Sequence, residues 1–335
     1  MRNTTKSIIS TLCVATALML SATAQGASEG KKLKIGVSLM TYEHAFMQDM
    51  LAAVKKASAA KGITLVDVDG GNDVSKQLSG IEDMLNGQKI DGLLLNPVDT
   101  DAIAPAVLDA NSYKVPVVTL DVGSSKGEVY AHIASNNLKI GNLIGEYTVK
   151  LLTAKHGSPS GNVVIFGFSK ISSMRDRVAG FKAIMDKHPK IKVSIKEPVV
   201  LTVEDCQRLA EDAFTTYGQN TVDVYYGSNA TTLAGLVAAQ ESSARKDFQL
   251  VGVDDDPVFV AALKKNSSTL AAFIAQTPTE IGEKAVDMVL NAIHGKPNSE
   301  KNIATTITLV TRDNINDYLS VVAKREALLK PYRSK

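Results

Sequence analysis

Short apolar segments alternate along this chain with longer segments in which apolar residues recur every three or four positions. The segments Leu33–Leu39, Ile63–Val68, Asp91–Asn96 and Val115–Asp121 are typical of buried strands, and the spacing over Phe46–Lys61 predicts an amphipathic helix. Strands that alternate with helices form parallel sheets with helices on both faces. The first part of the chain is therefore predicted to be an α/β unit.

The same alternation starts again after an extended segment at Val129–Asn136. The further predicted strands are Asn162–Gly167, Val222–Tyr226, Gln249–Val253, Thr269–Ala275 and Ile303–Thr311. About ten strands are too many for one comfortable doubly wound sheet, and 335 residues are too many for one ordinary core. We expect two α/β lobes with a ligand cleft between them.

The N-terminal residues have the pattern of an export signal. Arg2 and Lys6 precede the apolar run Ile8–Leu20, and Ala22–Ala24 fits the rule for cleavage between small residues, which predicts a signal peptide over residues 1–24. The run is short and rich in Ser and Thr for a membrane span, so a retained anchor is the lesser alternative. Cleavage leaves Cys206 as the single cysteine, which rules out an intramolecular disulfide. We expect a soluble protein in the periplasm.

Composition and motifs exclude several functional classes. The chain has 37 Lys and Arg against 35 Asp and Glu, a net charge of +2, and no basic stripe, so no nucleic-acid partner is expected. It contains no phosphate-binding loop and no complete GxSxG elbow. The five histidines have no histidine partner three or four positions away, and Asp254–Asp256 lacks the spacing of a calcium loop. No metal or cofactor is therefore predicted.

Polar side chains gather where predicted strands end. Asp121, Asn229 and Asp254 each end a strand, and Gln276 follows Thr269–Ala275 directly. His44 and Phe46 occupy the first strand-to-helix loop, and Arg175 opens a helix just after a strand. Each residue taken singly is equally well explained as a capping or turn residue. Together, carboxylates, amides and a guanidinium on cleft edges favour a hydroxyl-rich ligand.

Stretches in the same order and spacing resemble the periplasmic sugar-binding proteins of the ribose-binding type, which share their lobes with the lactose-repressor family. The stretches are Ile35–Phe46, Leu95–Ala102, Val115–Asp121, Lys126–Val129 with His132–Ser135, Arg175–Phe181, Val251–Asp254, and Ile274–Gln276 with Ile281–Gly282. The resemblance implies two doubly wound parallel-sheet lobes joined by a three-stranded hinge, with the ligand in the cleft. It implies an N-terminal lobe of residues 33–135 plus 277–305, a C-terminal lobe of 136–276 plus 306–335, and crossings near Ser135, Gln276 and Thr305.

The resemblance also implies which residues contact the ligand. They are Met40, His44, Phe46, Asp121, Arg175 in the Arg-x-x-x-x-Gly-Phe motif, Asn229, Asp254 and Gln276. Val122 stands where the ribose binder has an arginine, His44 replaces an amide, and Met47, Leu201 and Val253 stand at or near aromatic positions. These departures argue against ribose and leave another pentose, a hexose, a cyclitol or an alditol open.

The function implied by the resemblance is capture of a small polyhydroxylated ligand by a monomeric protein, by hinge closure, and delivery to the membrane permease of an ATP-binding-cassette (ABC) importer. A transcription regulator would need an N-terminal helix-turn-helix, and this chain has a signal-like segment there. A sugar-processing enzyme would need two carboxylates facing one bond, for which Asp121 and Asp254 are the candidates; we expect no enzymatic activity. A sensor that presents ligand to a chemoreceptor or kinase stays open. The charge of the tail Arg312–Lys335 favours an exposed helix, and whether it packs on the second lobe is left open.

Overall fold

The structure is a computed structural model that describes residues 32–265 and 268–333. The predicted signal peptide lies outside the described residues. The strands are β1 Lys34–Leu39, β2 Thr64–Asp69, β3 Gly92–Leu95, β4 Val117–Leu120, β5 Ala131–Ser135, β6 Gly161–Phe166, β7 Ile191–Lys196, β8 Val224–Gly227, β9 Gln249–Val253, β10 Leu270–Gln276, β11 Asn302–Thr305 and β12 Ile307–Thr311. The helices are α1 Ala45–Ala60, α2 Val74–Asp83, α3 Ala104–Ser112, α4 Asn137–His156, α5 Ser172–Met185, α6 Val203–Tyr217, α7 Ala230–Ser243, α8 Pro257–Lys264, α9 Pro278–Ile293 and α10 Ile315–Leu329.

The strands form two six-stranded sheets, one in each lobe. The first has the order β11-β5-β4-β3-β1-β2, and the second has the order β12-β10-β9-β8-β6-β7. All neighbouring strands are parallel except β10 and β12, which are antiparallel. The predicted architecture of two doubly wound lobes is confirmed. The carboxyl ends of the parallel strands, where open α/β sheets collect ligands, carry the polar residues picked out above.

Each sheet is covered by helices on both faces, which explains its nearly continuous apolar strands. In the N-terminal lobe, α1 and α9 contribute to the apolar core on one face, and α2 and α3 contribute to the core on the other. In the C-terminal lobe, α6, α7 and α8 share one core, and α4 and α5 share the other. Within residues 32–265 and 268–333, no helix combines the length and apolar character needed to cross a membrane.

The chain passes between the two sheets after β5, after β10 and between β11 and β12. The last passage corrects the predicted strand Ile303–Thr311, because its two halves belong to different sheets. Thr305 pairs with Ser135 in the first sheet, and Ile307 pairs with Gln276 in the second. The apolar pattern continues through both halves, so the pattern alone does not show the change of sheet.

Side chains set several helix boundaries. Helix α3 begins only at Ala104, because the Asp99 side chain accepts hydrogen bonds from the backbone N–H groups of residues 101 and 102 and holds a turn there. Helix α2 is α-helical to Asp83 and continues as a π-helical turn, Met84–Gln88. Asp256 is the N-cap of α8, since its side chain accepts a hydrogen bond from the N–H of Val258.

The C-terminal tail is packed against both lobes. Ile315 and Tyr318 of α10 are buried in the core of the C-terminal lobe. Leu329, at the other end of α10, is buried against Ala52 and Ala53 of α1. The tail is therefore only partly an exposed helix, and its attachment to the first lobe was not predicted from its charge.

Candidate functional site

Two buried carboxylates stand at corresponding places in the two sheets. Asp121 follows β4 and Asp254 follows β9, and each side chain is almost completely buried. Their backbones adopt the left-handed region, with φ of 58° for Asp121 and 81° for Asp254. Aspartate tolerates this region better than most residues, and such strained positions collect at functional sites. Both aspartates line a cavity between the lobes.

Arg177 is the guanidinium that faces Asp121 across the cleft. It is buried on α5, where its Nε donates to Asn137 Oδ1 at 2.8 Å and its Nη1 donates to the Ser228 carbonyl at 3.0 Å. Its Nη2 lies 3.9 Å from Asp121 Oδ1, so the ion pair joins the two lobes. Two hydrogen-bond partners on the same lobe, Asn137 and Ser228, orient the guanidinium before any ligand arrives.

The structure does not bring Arg175 into the cavity that the other predicted site residues line. Arg175 is exposed, donates from Nη1 to the Ser169 carbonyl at 2.6 Å, and lines a separate depression on the C-terminal lobe. Side chains two positions apart along a helix point about 200° away from each other, so Arg175 and Arg177 occupy opposite faces of α5. The buried positions Met174, Arg177 and Phe181 follow helical spacing, and that spacing is the signal that identifies Arg177.

The other predicted polar residues form a connected group in the C-terminal lobe. Gln276 donates from Nε2 to Asp254 Oδ1 at 2.6 Å, and the N–H of Ala230 donates to Asp254 Oδ2 at 2.7 Å. Asn229 caps α7 through its Oδ1, which accepts from the N–H of Thr232 at 2.9 Å. Asn229 therefore caps a helix and also lines the cavity, so the two explanations given for it are compatible.

Two buried acceptors in this group have no hydrogen-bond partner among the described residues: Asp121 Oδ1 and Gln276 Oε1. A buried acceptor without a partner costs folding free energy, about 1–3 kcal/mol each. Burial, partly offset by the charge of Arg177, raises the pKa of Asp121 to about 6, and the Asp254 carboxylate adds to the increase. These groups are matched to a ligand that donates hydrogen bonds.

The N-terminal lobe contributes the first loop. Met40, His44 and Phe46, which the resemblance implies as ligand contacts, line the cavity, and Met47 also lines it. His44 is the N-cap residue of α1, and its side chain makes no capping hydrogen bond. The β1–α1 loop therefore presents the imidazole of His44 to the cavity, and the first turn of α1 presents the ring of Phe46, which was predicted to lie in the loop.

The cavity has a volume of about 290 Å³ and is lined by both lobes. Of the predicted site residues, the cavity brings together Met40, His44, Phe46, Asp121, Asn229, Asp254 and Gln276. Sequence reasoning missed much of its wall, including Asn72, Asp99, Phe168, Lys170, Ile171, Ser173, Met174, Arg177 and Thr231. Most of these lie in loops after strands, and their residue types carry no signal of a site.

The lobes touch across the mouth of the cavity. The N–H of Thr100 donates to the Lys170 carbonyl at 3.3 Å, and the N–H of Ser172 donates to Thr100 Oγ1 at 3.0 Å. The N–H of Gly123 donates to Ser172 Oγ at 3.3 Å. The structure thus represents a closed arrangement of the lobes. Among residues 32–265 and 268–333, no group of three His, Cys, Asp or Glu residues is placed to hold a metal ion.

A two-lobed α/β chain with a polar interlobe cavity has known counterparts. The sequence profile described as a periplasmic binding protein domain matches residues 35–297, most of the described chain. This chain belongs to the periplasmic binding protein family. The expected family and fold are therefore confirmed.

Relatives of this periplasmic binding protein include the ribose import binding protein RbsB of Salmonella typhimurium. The two are 31% identical over 281 residues, which cover 84% of this chain and 91% of the relative. Among solved structures, a carbohydrate transporter solute-binding protein from Agrobacterium radiobacter in complex with D-arabinose has a TM-score of 0.80 at 22% identity and covers 90% of this chain and 99% of its own. A Bacillus halodurans ABC transporter solute-binding protein with bound myo-inositol has a TM-score of 0.76 at 22% identity, covering 86% of this chain and 98% of its own.

Proposed function

We propose that this protein captures a sugar or polyol in the cleft between its lobes, in the periplasm, and delivers it to the permease of an ABC importer. The observation that carries the proposal is a pair of buried acceptors, Asp121 Oδ1 and Gln276 Oε1, which find no hydrogen-bond partner in the described part of the chain and lie beside the oriented guanidinium of Arg177. Hydroxyl groups both donate and accept hydrogen bonds, so a polyol satisfies these groups together.

The relatives support this choice of ligand class and of importer. RbsB is named for ribose import, and the two similar solved structures contain D-arabinose and myo-inositol. All three are binding proteins, and the proposal involves no chemical step. The export pattern predicted for residues 1–24 supports a location on the same side of the membrane as an importer's entrance.

A thermal-shift screen of residues 25–335 against pentoses, hexoses, alditols and inositols tests the proposal. A ligand that binds only the folded form stabilises it by RT ln(1 + [L]/Kd), about 4 kcal/mol at a thousandfold excess over Kd. We expect a large rise in Tm for one polyol class, followed by one-to-one binding in calorimetry with no turnover of the ligand. If no polyol changes Tm, the proposal is wrong.

Binding is expected to weaken as the pH falls below about 6. In the closed arrangement, burial raises the pKa of Asp121 to about 6, and hydroxyl donors from a ligand would favour the charged form. Protons and ligand therefore compete, and Kd should rise by up to about tenfold per pH unit below 6. Calorimetry from pH 7.5 to 4.5 measures this, and the variant Asp121→Asn is the control.

The stability of the ligand-free protein should depend on pH in the opposite direction, so that it increases as the pH falls. Because the pKa of Asp121 is higher in the folded than in the unfolded chain, its contribution to stability is complete below about pH 4 and is lost as the pH rises through about 6. Acidification from pH 7 to 5 should thus stabilise wild type relative to Asp121→Asn, whose amide does not titrate. Equal pH dependence of the two proteins in both measurements would contradict the assignment.

A further inference from the structure

An apolar cluster lies directly beside the polar part of the cavity. Val122, Ile171 and Met174 are buried together, and Met40, Phe168 and Leu201 pack against them. We call these six residues the apolar wall. All six also line the cavity, and they come from both lobes.

Chain geometry places this wall next to the polar groups. Val122 follows Asp121 directly, so their Cα atoms are about 3.8 Å apart. Met174 precedes Arg177 by three residues on α5, so the two side chains share one face of the helix. A ligand of sugar size that contacts both Asp121 and Arg177 must therefore lie against Val122 and Met174.

We propose that the ligand is a polyol with one apolar edge, a methyl group or a deoxygenated carbon, which faces the apolar wall. This inference rests on the proposed function. A hydroxyl group pointed at Val122, Ile171 and Met174 meets aliphatic or thioether groups and loses its hydrogen bonds to water, which lowers affinity by about tenfold or more. A methyl group at the same place gains apolar contact instead.

Matched sugar pairs that differ by one hydroxyl group test the ligand class. Calorimetry would compare D-fucose with D-galactose, L-rhamnose with L-mannose, and 5-deoxy-D-ribose with D-ribose. In at least one pair we expect the deoxy sugar to bind about tenfold more tightly. If the fully hydroxylated sugar binds equally or more tightly in every pair that binds, this inference is wrong and the proposed function stands. If no sugar binds, the proposed function itself fails.

Variants of the wall separate this explanation from general loss of folding. Val122→Thr and Met174→Gln should reduce or reverse the preference for the deoxy sugar, because each supplies a polar partner to a hydroxyl group at the wall. Val321→Thr is the matched control, since Val321 is 59% exposed on α10. An unchanged preference in both wall variants would overturn the role of the wall.

A separate observation concerns α10, which joins the two lobes outside the hinge strands. Arg325 lies between two carboxylates, with Nε 3.0 Å from Asp49 Oδ2 on α1 and Nη2 2.7 Å from Asp255 Oδ2 after β9. Arg333 also pairs with Asp49. Tyr318 donates to Asp255. Asp49 is only 3% exposed, so its charge depends on these partners.

These contacts tie the two lobes together in the closed arrangement. Asp49 lies on α1, whose N-cap residue His44 and second residue Phe46 line the cavity. Asp255 directly follows Asp254, which also lines the cavity. A hinge rotation that separates the lobes must break the contacts of α10 with α1, which are the two arginine pairs of Asp49 and the packing of Leu329. We infer that α10 is a clamp that raises ligand affinity by favouring closure of the same cleft.

Truncation after Ala327 combined with Asp49→Asn tests the clamp, because it removes Leu329 and Arg333, removes the charge that Arg325 meets on α1, and keeps the Arg325–Asp255 pair of the C-terminal lobe. We expect a larger radius of gyration without ligand in small-angle scattering, and a Kd for the best polyol of the screen raised about tenfold through faster dissociation. Lys324→Met, on an exposed position of α10, is the control. If the truncated protein binds with unchanged Kd and has an unchanged radius, the clamp is wrong. A loss of thermal stability with an unchanged Kd would assign α10 a purely structural role, and this result also overturns the clamp.

Discussion

Replacing Arg177 by alanine is expected to weaken ligand binding by about a hundredfold or more. The guanidinium is buried, oriented by Asn137 and Ser228, and placed 3.9 Å from Asp121 across the cleft. Its loss removes hydrogen-bond donors to the ligand and leaves the buried Asp121 carboxylate without an opposite charge. Truncating one partner of a buried charged pair costs about 2–5 kcal/mol of binding free energy. Calorimetric titration with the best polyol of the screen measures the effect.

Arg175→Ala is the matched control for this prediction. The same residue type two positions earlier on α5 is exposed and does not line the cavity, so Kd should change by less than about twofold. Arg177→Lys should recover only part of the affinity, since an ammonium group cannot reproduce the planar fork of donors. If Arg175→Ala weakens binding as much as Arg177→Ala, the assignment of the site arginine is wrong.

Gly180→Ala is expected to cause the largest loss of stability of the single substitutions considered. A Cβ atom at Gly180 would lie 2.2 Å from the Leu138 carbonyl oxygen, a backbone atom of α4 that has no free rotamer. The same helix pair is equally close at Gly141, where a Cβ would lie 2.1 Å from the Arg177 carbonyl oxygen. α4 and α5 must therefore separate, at a cost of about 3 kcal/mol, and Tm falls by several degrees.

Binding should weaken together with stability, because the separation moves the helix that carries Arg177. Thermal unfolding and calorimetry on the same preparation check both effects. Gly87→Ala is the control, since among the described residues no atom outside its own helix and chain neighbours lies within 4 Å of a Cβ there, and its backbone is outside the left-handed region. The stability of this variant should change by less than about 0.5 kcal/mol. A Gly180→Ala variant as stable as wild type would show that the helix contact is not as close as described.

The glycine of the Arg-x-x-x-x-Gly-Phe motif thus has a structural explanation that the motif by itself does not give. Sequence spacing identified Gly180 and Phe181 as part of a resemblance, and the close contact of α5 with α4 explains why no side chain fits there. The same contact orients α5 so that Arg177 faces the cleft and Arg175 faces solvent.

The sequence by itself determined the α/β class, the two lobes, the family and several of the polar residues that line the cavity. Alternating strand and helix patterns are local properties, and they survive folding because each element buries its own apolar face. Asp121, Asn229, Asp254 and Gln276 were found for a related reason. Carboxyl ends of parallel strands meet at one edge of a sheet, so strand ends predict proximity without long-range information.

Only the tertiary structure decided the features that depend on contacts between distant segments. It divided the predicted strand Ile303–Thr311 between two sheets and placed Arg177, and not Arg175, in the cavity. It left Asp121 Oδ1 and Gln276 Oε1 with no hydrogen-bond partner among residues 32–265 and 268–333. It also placed Arg325 between Asp49 and Asp255, 276 and 70 positions away along the chain. Local patterns specify which face of an element is buried, whereas the neighbour that covers that face is settled by the packing of the whole chain.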